Sequence, residues 1–114
     1  MKLPMLVAFA VLAAPIAASA QATPAGNADA GSRKNAMCSG CHGIPGWRTA
    51  YPEVYSVPKI GGQHPAYIVK ALQEYKSGER SHPSMRAIAA TLSDQDMADL
   101  AAYYGDAPSN TASK

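Results

Sequence analysis

The contiguous pentad Cys38-Ser39-Gly40-Cys41-His42 constrains this chain more than any other feature. Cys38 and Cys41 are its only cysteines. Two thiols at this spacing, followed at once by an imidazole, suit thioether attachment of one haem through its two vinyl groups, with His42 against the iron as an axial ligand. Covalent attachment of a flat apolar plate dictates the kind of shell that must fold around it. The same residues have two other readings. A redox-active C-x-x-C belongs within a βαβ pattern, and no convincing alternating strand pattern is visible. A structural zinc site would need a further histidine, and such sites usually pair two clusters where this chain has one.

Residues 1–20 read as a secretory signal peptide. Lys2 supplies the positive charge, Leu6 to Ala14 the apolar run, and Ala18-Ser19-Ala20 a small-residue cleavage site before Gln21. The run is short for a membrane span and is interrupted by Pro15, although an uncleaved anchor is the alternative. The expectation is an exported chain, periplasmic in a bacterium, with no membrane span in its mature form. Residues 21–31 are small and polar, with Pro24 and Gly26, and read as a flexible leader. Residues 32–106 form the one domain, and 107–114 a flexible tail. A domain this small has difficulty burying enough apolar surface unaided, and a haem would supply it.

The formal net charge is +2, and removal of Lys2 with the leader lowers it by one. That is no footprint for nucleic acid. Lys59, Lys70, Lys76, Arg80 and Arg86 are either a basic face for an acidic partner or an ordinary solvated surface.

The periodicity is helical. Ser32 or Asn35 begins a first helix that delivers the cysteines, and Gly43, Pro45 and Gly46 end it. A long loop through Trp47, Tyr51, Tyr55 and Pro58 follows, of a length that is usually functional. Ile68, Ala71, Leu72 and Tyr75 then recur at helical spacing, with Pro65 at the start and Gly78 at the end. A short helix follows Pro83 through to Ala90. Ser93 and Asp96 form a capping-box-like start for a last helix, whose stripe is Met97, Leu100, Ala101 and Tyr104, with Gly105 at its end. The expected fold is all-α, about four short helices with long loops.

Five anchors in order extend the pentad: Met37-Cys-Ser-Gly-Cys-His-Gly43, Val57-Pro-Lys-Ile-Gly-Gly-Gln63, His64-Pro-Ala-Tyr67, His82-Pro-Ser-Met85, and Leu92-Ser-Asp-Gln-Asp-Met-Ala-Asp-Leu-Ala-Ala-Tyr-Tyr104. On them the chain resembles the bacterial class I cytochromes c, and within these the single-haem relatives of the dihaem periplasmic cytochromes c. The likeness covers roughly residues 30–104. It implies the class I cytochrome c fold around one covalent haem c, attached outside the inner membrane.

The resemblance also implies a methionine opposite His42. Met85, in a loop before the short helix, matches that place; Met97 is the competitor, although a methionine on a buried helical stripe is more often core. His64 and His82 would make a bis-histidine alternative, each also placed to cap a helix beginning at proline. The Pro58 carbonyl is implied as the acceptor that orients His42, with Ile60 and Gly61 along the haem edge. Trp47, Tyr51 and Tyr55 are either hydrogen-bond donors to the propionates or plain packing. The family often carries an aromatic four residues before the first cysteine, where the first and last helices cross; Lys34 stands there instead.

With His42 and Met85 both bound, the implied function is a monomeric, non-enzymatic carrier of single electrons by outer-sphere transfer. Its implied partners are redox proteins: a quinol-oxidising complex or dehydrogenase as donor, and a terminal oxidase or reductase as acceptor. The alternatives are a haem enzyme or gas sensor with a displaceable sixth ligand, and a cytochrome subunit of a larger dehydrogenase.

Overall fold

The computed structural model describes residues 22–44, 46–50 and 54–106. Among them are five helices: α1 (Ala28–Lys34), α2 (Ala36–His42), α3 (Pro65–Ser77), α4 (Pro83–Ala90) and α5 (Asp94–Asp106). The β-pairing among the described residues is limited to an isolated antiparallel bridge between Arg48 and Ser56. The all-α architecture expected from the sequence is present, with five helices rather than about four. The signal peptide, Pro45, Tyr51 and the 107–114 tail lie outside the described residues.

The additional helix arises from the N-terminal side. The sequence reading extends the leader through residue 31, whereas α1 opens at Ala28. Asn27 is its N-cap: the side-chain oxygen accepts from the Ala30 amide at 2.9 Å, and Asp29 in the first turn complements the helix dipole. Asn35, at φ −79° and ψ 0°, separates α1 from α2. The leader boundary therefore moves back, because a capping residue lies inside a segment whose composition looks unstructured.

α1 packs on α5, and α3 packs on both α4 and α5. At the first crossing Gly31 is buried, and a β-carbon there would run into the Asp99 carbonyl and lie 2.7 Å from Tyr103 Cβ. The site needs glycine for close approach. Gly31→Ala is expected to destabilise the fold by ~1–3 kcal/mol through overpacking. The check is a lowered urea midpoint at unchanged slope; an unaltered midpoint would contradict the close approach.

The same crossing is polar. Lys34 Nζ lies 2.8 Å from Asp96 Oδ1 and 2.7 Å from Asp99 Oδ2. Asp99 is only 3% exposed and also accepts from the Asn27 amide and Gln95 Nε2, both at 2.9 Å. The lysine that stands in the aromatic position thus makes an ion-paired clamp. Its hydrogen bonds hold both aspartates down to about 2, and the aspartates in turn raise Lys34. The face of α5 at this crossing is the Asp99 and Tyr103 side.

The other elements follow their sequence signals. Pro65 opens α3, and Gly78 ends it in the left-handed region at φ 88°. Lys70 and Glu74 pair across one turn at 3.2 Å. The Ser93–Asp96 capping box closes in both directions, at 3.0 and 3.1 Å. Gly105, read as the end of α5, lies inside it; a β-carbon there would strike Pro65. Ile68, Val69 and Leu72 of α3 meet Leu92 and Met97, Leu100, Ala101 and Tyr104 of α5 in one core. That core backs the wall against which Cys38, Ile60 and Met85 pack.

Candidate functional site

Helix α2 places Cys38 and Cys41 one turn apart on one face and brings His42 to its C-terminal end. The two cysteines are not joined in a disulfide. His42 Nδ1 lies 2.6 Å from the Pro58 carbonyl oxygen. A carbonyl only accepts, so Nδ1 donates and carries the ring proton, leaving the Nε2 lone pair available for a metal.

Beside α2 is a cavity of about 440 Å³, within the ~300–1,000 Å³ range of cofactor pockets. Cys38, Cys41 and His42 line it from α2, Pro58 and Ile60 from the loop, and Met85 from α4; Ile68, Leu72 and Leu100 supply apolar floor. Tyr55 lines it as well. Of the site residues read from the sequence, Cys38, Cys41, His42, Tyr55, Pro58, Ile60 and Met85 converge on one cavity, whereas Trp47 and Gly61 do not line it and Tyr51 lies outside the described residues. Trp47 is 42% exposed and is not part of the wall. Its carbonyl accepts from the Val57 amide at 2.9 Å, so its traceable part is to hold the 46–57 loop together.

The rival axial ligands separate clearly. Met97 is fully buried in the core, while Met85, expected in a loop before the short helix, stands instead in the first turn of α4, half-buried and lining the cavity. His64 is exposed and makes no side-chain cap. His82 does line the cavity, but its Nδ1 is occupied as the N-cap acceptor for the Met85 amide at 3.3 Å.

Several lining residues escaped the sequence reading. Arg80, counted there as surface charge, lines the cavity. It donates to the Tyr67 hydroxyl at 3.1 Å and its guanidinium lies over the Tyr67 and Tyr75 rings, at 5.6 and 5.2 Å. Of the other basic residues, Lys70 is paired with Glu74 and Lys76 donates to the Leu92 carbonyl at 2.5 Å. The five cations are therefore not a uniform free face. Tyr104, read only as a core position, interacts through its hydroxyl with Cys38 and Asn35, and burial pushes its pKa up. Burial likewise raises the Cys38 thiol, opposed by the Tyr104 hydrogen bond. Helical spacing marked both tyrosines; the wall they form depends on which loop folds over them.

This donor set fits haem c. It provides paired thiols on one helical face, an imidazole with its metal-facing nitrogen free, a thioether from another element, and an apolar slot between them. No helix among the described residues is long and apolar enough to cross a membrane.

The profile of the family described as cytochrome c matches residues 28–104. Cytochrome c4 of Pseudomonas aeruginosa is 41% identical over 80 residues, which are 70% of this chain and 38% of that one. Cytochrome c-554(548) of Halomonas halodenitrificans is 39% identical over 83 residues, 70% of this chain and 95% of that one. The crystal structure of reduced recombinant cytochrome c4 from Pseudomonas stutzeri superposes with a TM-score of 0.60 at 36% identity, covering 74% of this chain and 47% of that chain. The chain thus spans less than half the length of the c4 proteins it matches.

Proposed function

The chain belongs to the cytochrome c family, with the all-α class I fold, and on that premise we propose that it is an exported single-haem electron carrier of the periplasm. The observation that supports this most is the meeting of Cys38, Cys41, His42 and Met85 on one apolar cavity. The sequence holds one C-x-x-C-H, and the match to the Halomonas relative covers 95% of that protein. Residues 1–20 are the cleaved export signal in this account.

Cys38 and Cys41 would hold the haem through thioether bonds, and His42 and Met85 would supply the two protein ligands to its iron. Bound there, haem c supplies a reversible one-electron iron couple. The Pro58 carbonyl fixes the tautomer and tilt of His42. Ile68, Leu72 and Leu100 exclude water from the slot, which together with a thioether ligand favours the reduced state. With both iron ligands supplied by the chain, a bound haem would carry a single electron and no substrate would be held at the iron. Redox proteins are the partners: a quinol-oxidising complex or dehydrogenase as donor, an oxidase or reductase as acceptor. Such encounters are small and short-lived, and the carrier acts as a monomer.

The test is expression in a host that matures c-type haem, followed by denaturing electrophoresis and oxidised and reduced spectra. Haem is expected to stay with the unfolded chain and to show c-type bands. In the double variant Cys38→Ser, Cys41→Ser it should be lost completely on denaturation. A matured wild-type chain that releases its haem on unfolding would overturn the proposal.

A further inference from the structure

Met85 reaches the cavity from the first turn of α4, and that turn is held from one side by His82. The His82 ring does three things at once. Its Nδ1 accepts from the Met85 amide at 3.3 Å. Its face meets the Tyr55 ring at 4.3 Å between centroids, with planes tilted by 46°. Its far side meets Tyr75 edge-on at 6.3 Å. The edge-on contact with Tyr75 is a geometry in which aromatic rings attract, and the Tyr55 ring packs closely beside His82. Most N-caps are serine, threonine, asparagine or aspartate, which satisfy the amide with a small side chain. An imidazole makes the same bond and adds a broad apolar plate. Here that plate ties α4 to α3 through Tyr75 and to the 46–57 loop through Tyr55.

We infer that His82 is a positioning residue for the sixth ligand: it fixes the Met85 backbone against Tyr55 and Tyr75, so that the thioether is presented to the cavity in one orientation. The inference rests on Met85 being that ligand. Pro83 at the first helical position sets the backbone, and the Met85 amide, a first-turn donor with no acceptor inside the helix, is satisfied by the His82 cap. His82 acts through Met85 and does not itself touch iron, so its effect falls on how long Met85 stays bound.

The experiment measures how fast excess cyanide displaces the sixth ligand in the ferric holoprotein. His82→Ala is expected to speed displacement about tenfold, the size of a lost cap together with lost ring contacts, while the far-red ligand band weakens. His82→Asn keeps a capping acceptor and His82→Phe keeps a ring, so each should recover part of the difference. Gly31→Ala is the control for general loosening: it lowers stability at the α1–α5 crossing and should leave the displacement rate unchanged. A rate in His82→Ala within twofold of wild type overturns the inference, as does a Gly31→Ala protein accelerated as much as His82→Ala. A wild-type protein lacking any Met85-dependent far-red band overturns the ligand reading itself, and the role of His82 with it.

Discussion

Met85→Ala is expected to keep its haem and lose its sixth ligand. Attachment depends on Cys38 and Cys41, which lie on a different helix from Met85, so the haem should remain with the denatured chain. The far-red charge-transfer band of the ferric protein should disappear. The potential should fall by on the order of 0.1 V, a modest part of the ~0.8 V that axial ligands span. Met97 supplies the matched comparison. It is fully buried in the core, so Met97→Ala should cost ~2–5 kcal/mol of stability through its cavity while band and potential persist. The two methionines separate by kind of defect: spectrum and potential for one, stability for the other. A Met85→Ala protein with unchanged band and potential would remove Met85 from the iron.

The second large effect concerns acid. Lys34 holds Asp96 and Asp99 down to about 2, below the ordinary 3.8. A carboxylate whose folded pKa lies below its unfolded value stabilises the fold fully above the unfolded value, and that contribution is lost as pH falls through the folded one. The loss should therefore fall between about pH 4 and pH 2. Lys34 is shifted upward from 10.5, so its contribution persists until alkaline pH exceeds that range. Asp99→Asn removes the charge that Lys34, Asn27 and Gln95 converge on. The variant should melt lower at neutral pH, and its melting temperature should fall less steeply from pH 4 to pH 2. Thermal melts at stepped pH read both. Parallel curves for variant and wild type would show that the clamp carries no proton linkage.

These two effects differ in how visible they were beforehand. The convergence of Cys38, Cys41, His42 and Met85 on one cavity is legible because residue type, local spacing and the order of the anchors point to all four. The Pro58 contact is implied by resemblance, and the 2.6 Å distance to His42 gives it a geometry. The Ser93–Asp96 box and the Gly78 cap are legible because caps are local. The clamp was not legible. Lys34 stood out only as a departure, and its partner Asp99 is 65 residues away, on a stretch that reads as an ordinary amphipathic helix. Gly31 was read as leader for the same reason: what requires glycine is the Asp99 carbonyl across the crossing. Gly105 shows the opposite error, a glycine read as a stop signal where packing against Pro65 sets its identity. Trp47 and Tyr55 share one loop, yet only Tyr55 reaches the wall, because loop geometry is set by pairings such as Thr49 with Tyr55 and not by residue type.

A proposed carrier whose iron is closed by His42 and Met85 should leave no position for an added ligand. The most direct measurement is addition of carbon monoxide to the reduced holoprotein at neutral pH. The account predicts no spectral change on mixing, with rapid binding appearing in Met85→Ala. Rapid, tight binding by the wild-type protein would contradict it and would favour a haem site built to take a ligand.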